Sequence, residues 1–66
     1  MVGIVKKVTQ QGSGIIAAAN GSRVPFVLSD VMNQRTLKPG ERVFFSLRIV
    51  KGNMFARNIT PMPRYV

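Results

Sequence analysis

The chain has no cysteine, no histidine and no tryptophan among its 66 residues, and only two acidic side chains. Without cysteine or histidine it can form neither a disulfide nor a thiolate or imidazole zinc site to reinforce a small core. The same lack removes the usual nucleophile and the usual general base of catalysis at neutral pH. Asp30 and Glu41 remain, eleven positions apart and on opposite sides of a basic stretch. They read as a turn aspartate and a solvated glutamate rather than as the paired carboxylates of a hydrolase. Two carboxylates in a strongly basic chain are also a poor setting for a divalent cation. No metal, no cofactor and no enzymatic activity is expected.

Long apolar runs are missing too. The longest, residues 15–19, is far short of the roughly 20 residues that cross a bilayer as a helix, and the start of the chain lacks the long apolar stretch of a secretory signal. A cytoplasmic protein is expected, for which the lack of cysteine is ordinary. Helical periodicity is nearly absent, so no amphipathic helix gathers the basic residues for binding to an acidic membrane. Gly12-Ser13-Gly14 begins like a phosphate loop, but neither glycine-rich phosphate-binding pattern is completed downstream.

What the chain has is positive charge: ten lysines and arginines give a net charge of +8. Its hydrophobic fraction of 45% is too high for a disordered polybasic tail, so one small folded domain is expected. A surface kept soluble by charge alone usually mixes both signs, and this excess points to a polyanionic partner.

Apolar β-branched and aromatic runs, punctuated by Gly, Asn and Pro, predict five strands. The first covers residues 2–9 and the second residues 14–19. Asn20-Gly21 predicts a type I′ hairpin into a third strand, residues 23–28. Pro25 cannot donate to a ladder, which puts that strand at an edge or a bulge. Residues 29–39 form a longer connection, in which Ser29-Asp30 predicts the cap of a short helical turn around Val31 and Met32. Pro39-Gly40 makes a turn with Gly at positive φ. In the fourth strand Val43, Phe45, Leu47 and Ile49 alternate with Arg42, Phe44, Ser46 and Arg48, predicting one apolar and one mixed face. Gly52-Asn53 predicts a second two-residue hairpin into residues 54–60, with Pro61 and Pro63 ending the strand. The domain is expected over residues 1–61, with a loose tail at 62–66. This budget fits a small all-β, five-stranded antiparallel OB-fold barrel, or equally an SH3-like one.

Several short motifs, in order, decide between the two. Gly3-Ile4-Val5-Lys6 resembles the opening G-x-V-K of cold-shock domains, and Gln11-Gly12-Ser13-Gly14-Ile15-Ile16 resembles their first RNA-binding motif, K-G-F-G-F-I. Pro25-Phe26-Val27-Leu28 is similar to the second motif, V-F-V-H. Residues 37–45 are similar to L-x-x-G-x-x-V-x-F, and Ala56-Arg57-Asn58-Ile59 to the closing A-x-N-V. The resemblance implies an OB fold that binds single-stranded RNA or DNA across its first three strands, with bases stacked on exposed aromatics.

The departures from the pattern fall on those aromatics. Lys7 replaces a surface Trp and Val8 the Phe beside it. Ser13 and Ile15 replace the two Phe of the first motif, Leu28 the His of the second, and Gln34 a loop Phe. Phe26 is left as the retained platform, and Met54-Phe55 stands where the family has Gly-Pro. Stacking on an aromatic is worth roughly 1–3 kcal/mol per base, so charge is expected to carry most of the affinity. The expected interface comprises Lys6, Lys7, Ile15, Arg23, Phe26, Leu28, Arg35, Phe55 and Arg57, with weak sequence selectivity and strong salt dependence. The alternative is a protein-interaction module in which Val8, Ile15, Phe26 and Leu28 form an apolar patch for an acidic partner or a second copy.

Overall fold

The first strand shows why both lysines near the start of the chain face water. In the computed structural model, which describes residues 1–62, β1 (Val2–Val8) pairs antiparallel with β2 (Gly14–Ala18). Val5 lies opposite Ile16, but Lys7 lies opposite Ile15, so β1 carries one extra residue at Lys6. A bulge of this kind breaks the strict alternation of faces, and Lys6 and Lys7 are both exposed as a result.

β2 continues into β3 (Arg23–Phe26), and β4 (Arg42–Val50) pairs with β5 (Asn53–Pro61). The ladder order is β3-β2-β1-β4-β5. β3, which contains Pro25, is therefore an outer strand of the ladder, as the missing N–H requires. It packs beside β5 and so closes the barrel, and a parallel bridge from Val31 to Ile59 extends that closure. The fold is the five-stranded antiparallel barrel that the motifs imply.

The inward positions are Val5, Ile16, Ala18, Val24, Phe26, Val31, Leu37, Val43, Phe45, Ala56 and Ile59, and no polar side chain is buried with them among the described residues. Burying each of the larger ones contributes about 1.5–3 kcal/mol. Such a core is small, and each member matters to it.

The turns differ in detail from the sequence expectation. Gly21 N–H donates to Ala18 O at 2.9 Å, and Gly21 alone in this turn takes positive φ (88°), while Asn20 does not. This is the three-residue hairpin form, in which a left-handed Gly follows the turn, rather than type I′. The type I′ geometry occurs instead between β4 and β5, where Lys51 (φ 51°) and Gly52 (φ 80°) are the central pair and Val50 lies opposite Asn53. The predicted Gly52-Asn53 turn is thus one residue too late. Pro39-Gly40 turns as expected, with Gly40 at φ 90° and Glu41 N–H donating to Lys38 O at 3.1 Å.

β3 ends at Phe26, not at residue 28, and two short 3-10 turns follow, Leu28–Asp30 and Met32–Gln34. Ser29 and Asp30 lie inside the first of these, and no side chain caps it. Val31, between the turns, is pinned in the core.

The β4–β5 hairpin outruns the barrel, and the molecule as a whole measures 40 × 26 × 17 Å. The Met1 ammonium donates to Phe45 O at 2.7 Å, and Phe45 N–H donates to Met1 O at 2.8 Å. Beyond Phe45, β4 pairs only with β5 among the described residues. Its expected apolar face is therefore split: Val43 and Phe45 are buried, while Leu47 and Ile49 are exposed. Residues 63–66 of the expected tail lie outside the described residues, and Met62 N–H still bonds Arg42 O at 3.0 Å.

Candidate nucleic-acid interface

Strand register places the outward residues of β1, β2 and β3 in two rows. One row is Lys7, Ile15 and Pro25. The next is Ile4, Ala17 and Arg23, and it continues onto β4 at Arg42. Lys6 adds a further cation at the bulge. A shallow groove of about 280 Å³ runs along this face, floored by Val2, Ile4 and residues 17–19 and edged by Lys6 and Arg42. The face is an apolar floor with cations at its margins and no carboxylate in its rows.

Phe26 is not on this face. It pairs with Gly14 and points inward, 2% exposed. The expected platform residue is a core residue, and the outward position beside Ile15 is held by Pro25. The match of residues 25–28 to V-F-V-H is therefore displaced by one residue along β3, because the face is set by pairing with β2.

Leu28 is half-buried and covers Gly12, where an added Cβ would lie 2.9 Å from Leu28 Cδ1. Val8 packs on the core. With Phe26 buried, the expected docking patch of Val8, Ile15, Phe26 and Leu28 loses its aromatic member; of the four, Ile15 alone lies in the outer rows.

The remaining expected cations divide by their partners. Arg35 Nη2 donates to Glu41 Oε2 at 2.6 Å, and Glu41 Oε1 also accepts the Lys38 N–H at 3.2 Å. Arg35 is thus paired locally, in an ion pair that leaves its side chain exposed. Arg57 Nε lies 3.8 Å from Asp30 Oδ1, a looser ion pair. Both acidic residues are engaged in this way, and Lys6, Lys7, Arg23, Arg42, Arg48 and Lys51 make no ion pair among the described residues.

Phe55 is 38% exposed and sits where β5 passes β3. On one side it shares a groove of about 380 Å³ with Arg23, Pro25 and Met54. On the other it shares one of about 220 Å³ with Arg48, Arg57, Val50 and Asp30. Pro25 lines the first of these grooves and Arg48 the second, while Arg42 edges the β1–β3 face; sequence reasoning does not name Pro25 or Arg42 as site residues. The alternation of β4 does put Arg42 and Arg48 on its mixed face. Their neighbours depend on pairing register, which the displaced hairpin turn conceals: Arg48 lies opposite Phe55 because the turn is Lys51-Gly52.

No family model matches the chain, and no curated protein matches it. A solved structure described as drosophila Unr CSD456 superposes with a TM-score of 0.73 over 94% of this chain, at 20% sequence identity. The fold is that of a cold-shock domain. The chain spans about a quarter of that structure, 26% of its length. At this identity the cold-shock fold is what the two share. On this fold the outer face of β1–β3 carries Lys7, Ile15 and Pro25 in one row, none of them aromatic.

Proposed function

We propose that this protein binds single-stranded RNA or DNA along the outer face of β1–β3, chiefly through charge. The observation that carries the proposal is the acid-free pair of rows, Lys7-Ile15-Pro25 and Ile4-Ala17-Arg23, on a cold-shock barrel of net charge +8. Lysine and arginine neutralise phosphates and release condensed counterions, an attraction indifferent to sequence and weakened by salt. Ile15, Pro25 and Ile4 offer apolar contact to bases without aromatic stacking. The chain acts by binding, as a regulator of gene expression on exposed single strands, rather than by catalysis.

The test is fluorescence anisotropy of a labelled single-stranded oligonucleotide across a salt series. Saturable binding at low salt that weakens steadily as salt rises supports the proposal. Absence of saturable binding even at low salt rejects it.

A second reading has its own observation. Leu47, Ile49 and Met54 project from one face of the overhanging hairpin at 38%, 64% and 36% exposure, with Lys51 at its tip beside them. This face suits an apolar protein segment with acidic flanks. Capture of a protein from nuclease-treated lysate, abolished by Ile49→Asp, would favour it; captured partners that vanish on nuclease treatment would count against it.

A further inference from the structure

We infer that the aromatic contact missing from the β1–β3 face has moved to β5, where Phe55 stacks nucleobases at the seam between β3 and the β4–β5 hairpin. The inference rests on the proposed single-strand binding and adds the place where bases, as opposed to phosphates, are held. Among the described residues two aromatics are exposed, Phe44 and Phe55. Phe44 lies on β4 between Val2 and Thr60, away from β3. Phe55 is the wall common to two open grooves, and each groove contains arginine: Arg23 on the β3 side, Arg48 and Arg57 on the hairpin side.

That arrangement suits two neighbouring nucleotides. A base entering the β3 groove meets Phe55 and the apolar surface of Pro25 and Met54, with Arg23 placed for its phosphate. A second base on the other side of Phe55 meets Val50, and Arg48, directly opposite Phe55 in the ladder, is placed for the next phosphate. Arg57 is held toward Asp30 there, so the unpaired cation of that groove is Arg48. Because Pro25 and Arg23 also belong to the outer rows of β1–β3, the strand passes without a break from the charged face into the seam. Stacking on a π-face is tolerant of sequence, in keeping with a charge-driven binder.

The experiment compares an oligonucleotide with an abasic strand of equal length, which keeps the phosphates and lacks the bases. Phe55→Ala is expected to weaken binding of the base-bearing strand by roughly 5- to 150-fold and to leave the abasic strand unaffected. Phe55→Tyr restores the affinity, and Phe44→Ala leaves it unchanged. Since the chain has no tryptophan, Phe55→Trp supplies its own reporter: emission is quenched by the base-bearing strand and not by the abasic one. If Phe55→Ala binds the base-bearing strand like wild type, or weakens both strands equally, the inference is overturned while charge-driven binding stands. If wild type binds neither strand, both fall together.

Discussion

Gly14 of β2 stands so close to β1 that a Cβ added to it would overlap the carbonyl oxygen of Lys7. The approach occurs one residue past the bulge that turns Lys6 and Lys7 out to solvent, so the glycine and the two lysines are parts of one local geometry. Gly14→Ala forces the strands apart against backbone, not against a movable side chain. The expected loss is about 3 kcal/mol, at the upper end of overpacking costs. For a domain of this size that is a fall in melting temperature of roughly 12–24 °C, read by thermal unfolding. A fall of a degree or two would show that the bulge does not hold Gly14 tightly against Lys7.

The hairpin tip makes a prediction of opposite sign. Lys51 adopts φ 51° in a two-residue turn that favours Asn at its place. Lys51→Asn is expected to raise stability by about 0.5–1 kcal/mol, because asparagine recovers part of the roughly 1–2 kcal/mol that the left-handed region costs an ordinary side chain. Lys51→Val, β-branched, is expected to lower it. Urea midpoints of the three proteins give the order, and a Val variant as stable as the Asn variant would contradict the type I′ assignment.

Not every basic residue bears equally on nucleic acid. Lys7 and Arg23, on the outer rows, make no ion pair among the described residues, whereas Arg35 is paired with Glu41. Replacing Lys7 or Arg23 by Ala is expected to flatten the dependence of log affinity on log salt by about 0.7 for each phosphate the variant no longer neutralises. Arg35→Ala should leave that slope unchanged and, as an exposed ion pair, alter stability by about 1 kcal/mol or less. Equal slopes for all three variants would mean that net charge, and not the face, determines binding.

Much of the barrel is legible in the sequence because its signals are local. Strand alternation, the Pro39-Gly40 turn and the edge position of Pro25 each follow from a few neighbouring residues. The faces are harder, since a face depends on which residue pairs with which. Phe26 lies in an apolar run, Val24 to Leu28, with no polar residue to mark its outer side; only the pairs Gly14 with Phe26 and Ile15 with Pro25 settle it. The same holds for Phe55 and Arg48, whose adjacency depends on a turn displaced by one residue. Charge at the interface is readable from composition, but the ion pair that engages Arg35 joins residues brought together by a turn, and composition is silent on that.

Phe26 provides the sharpest separation of stability from binding. As a core residue it touches no ligand, and Phe26→Ala should cost about 3–5 kcal/mol through the cavity it leaves. At roughly 0.05–0.15 kcal/mol per residue a domain of this length has a total stability of about 3–10 kcal/mol, so the Ala variant is expected to lose a large part of it and to bind less in proportion to the fraction that unfolds. Phe26→Leu fills most of the space, and is expected to melt lower than wild type yet bind a single-stranded oligonucleotide with unchanged affinity below its melting temperature. Circular dichroism establishes the folded fraction and anisotropy the affinity on the same sample. A folded Phe26→Leu protein that binds tenfold more weakly would mean that the ring reaches the ligand after all, and would return the platform to β3.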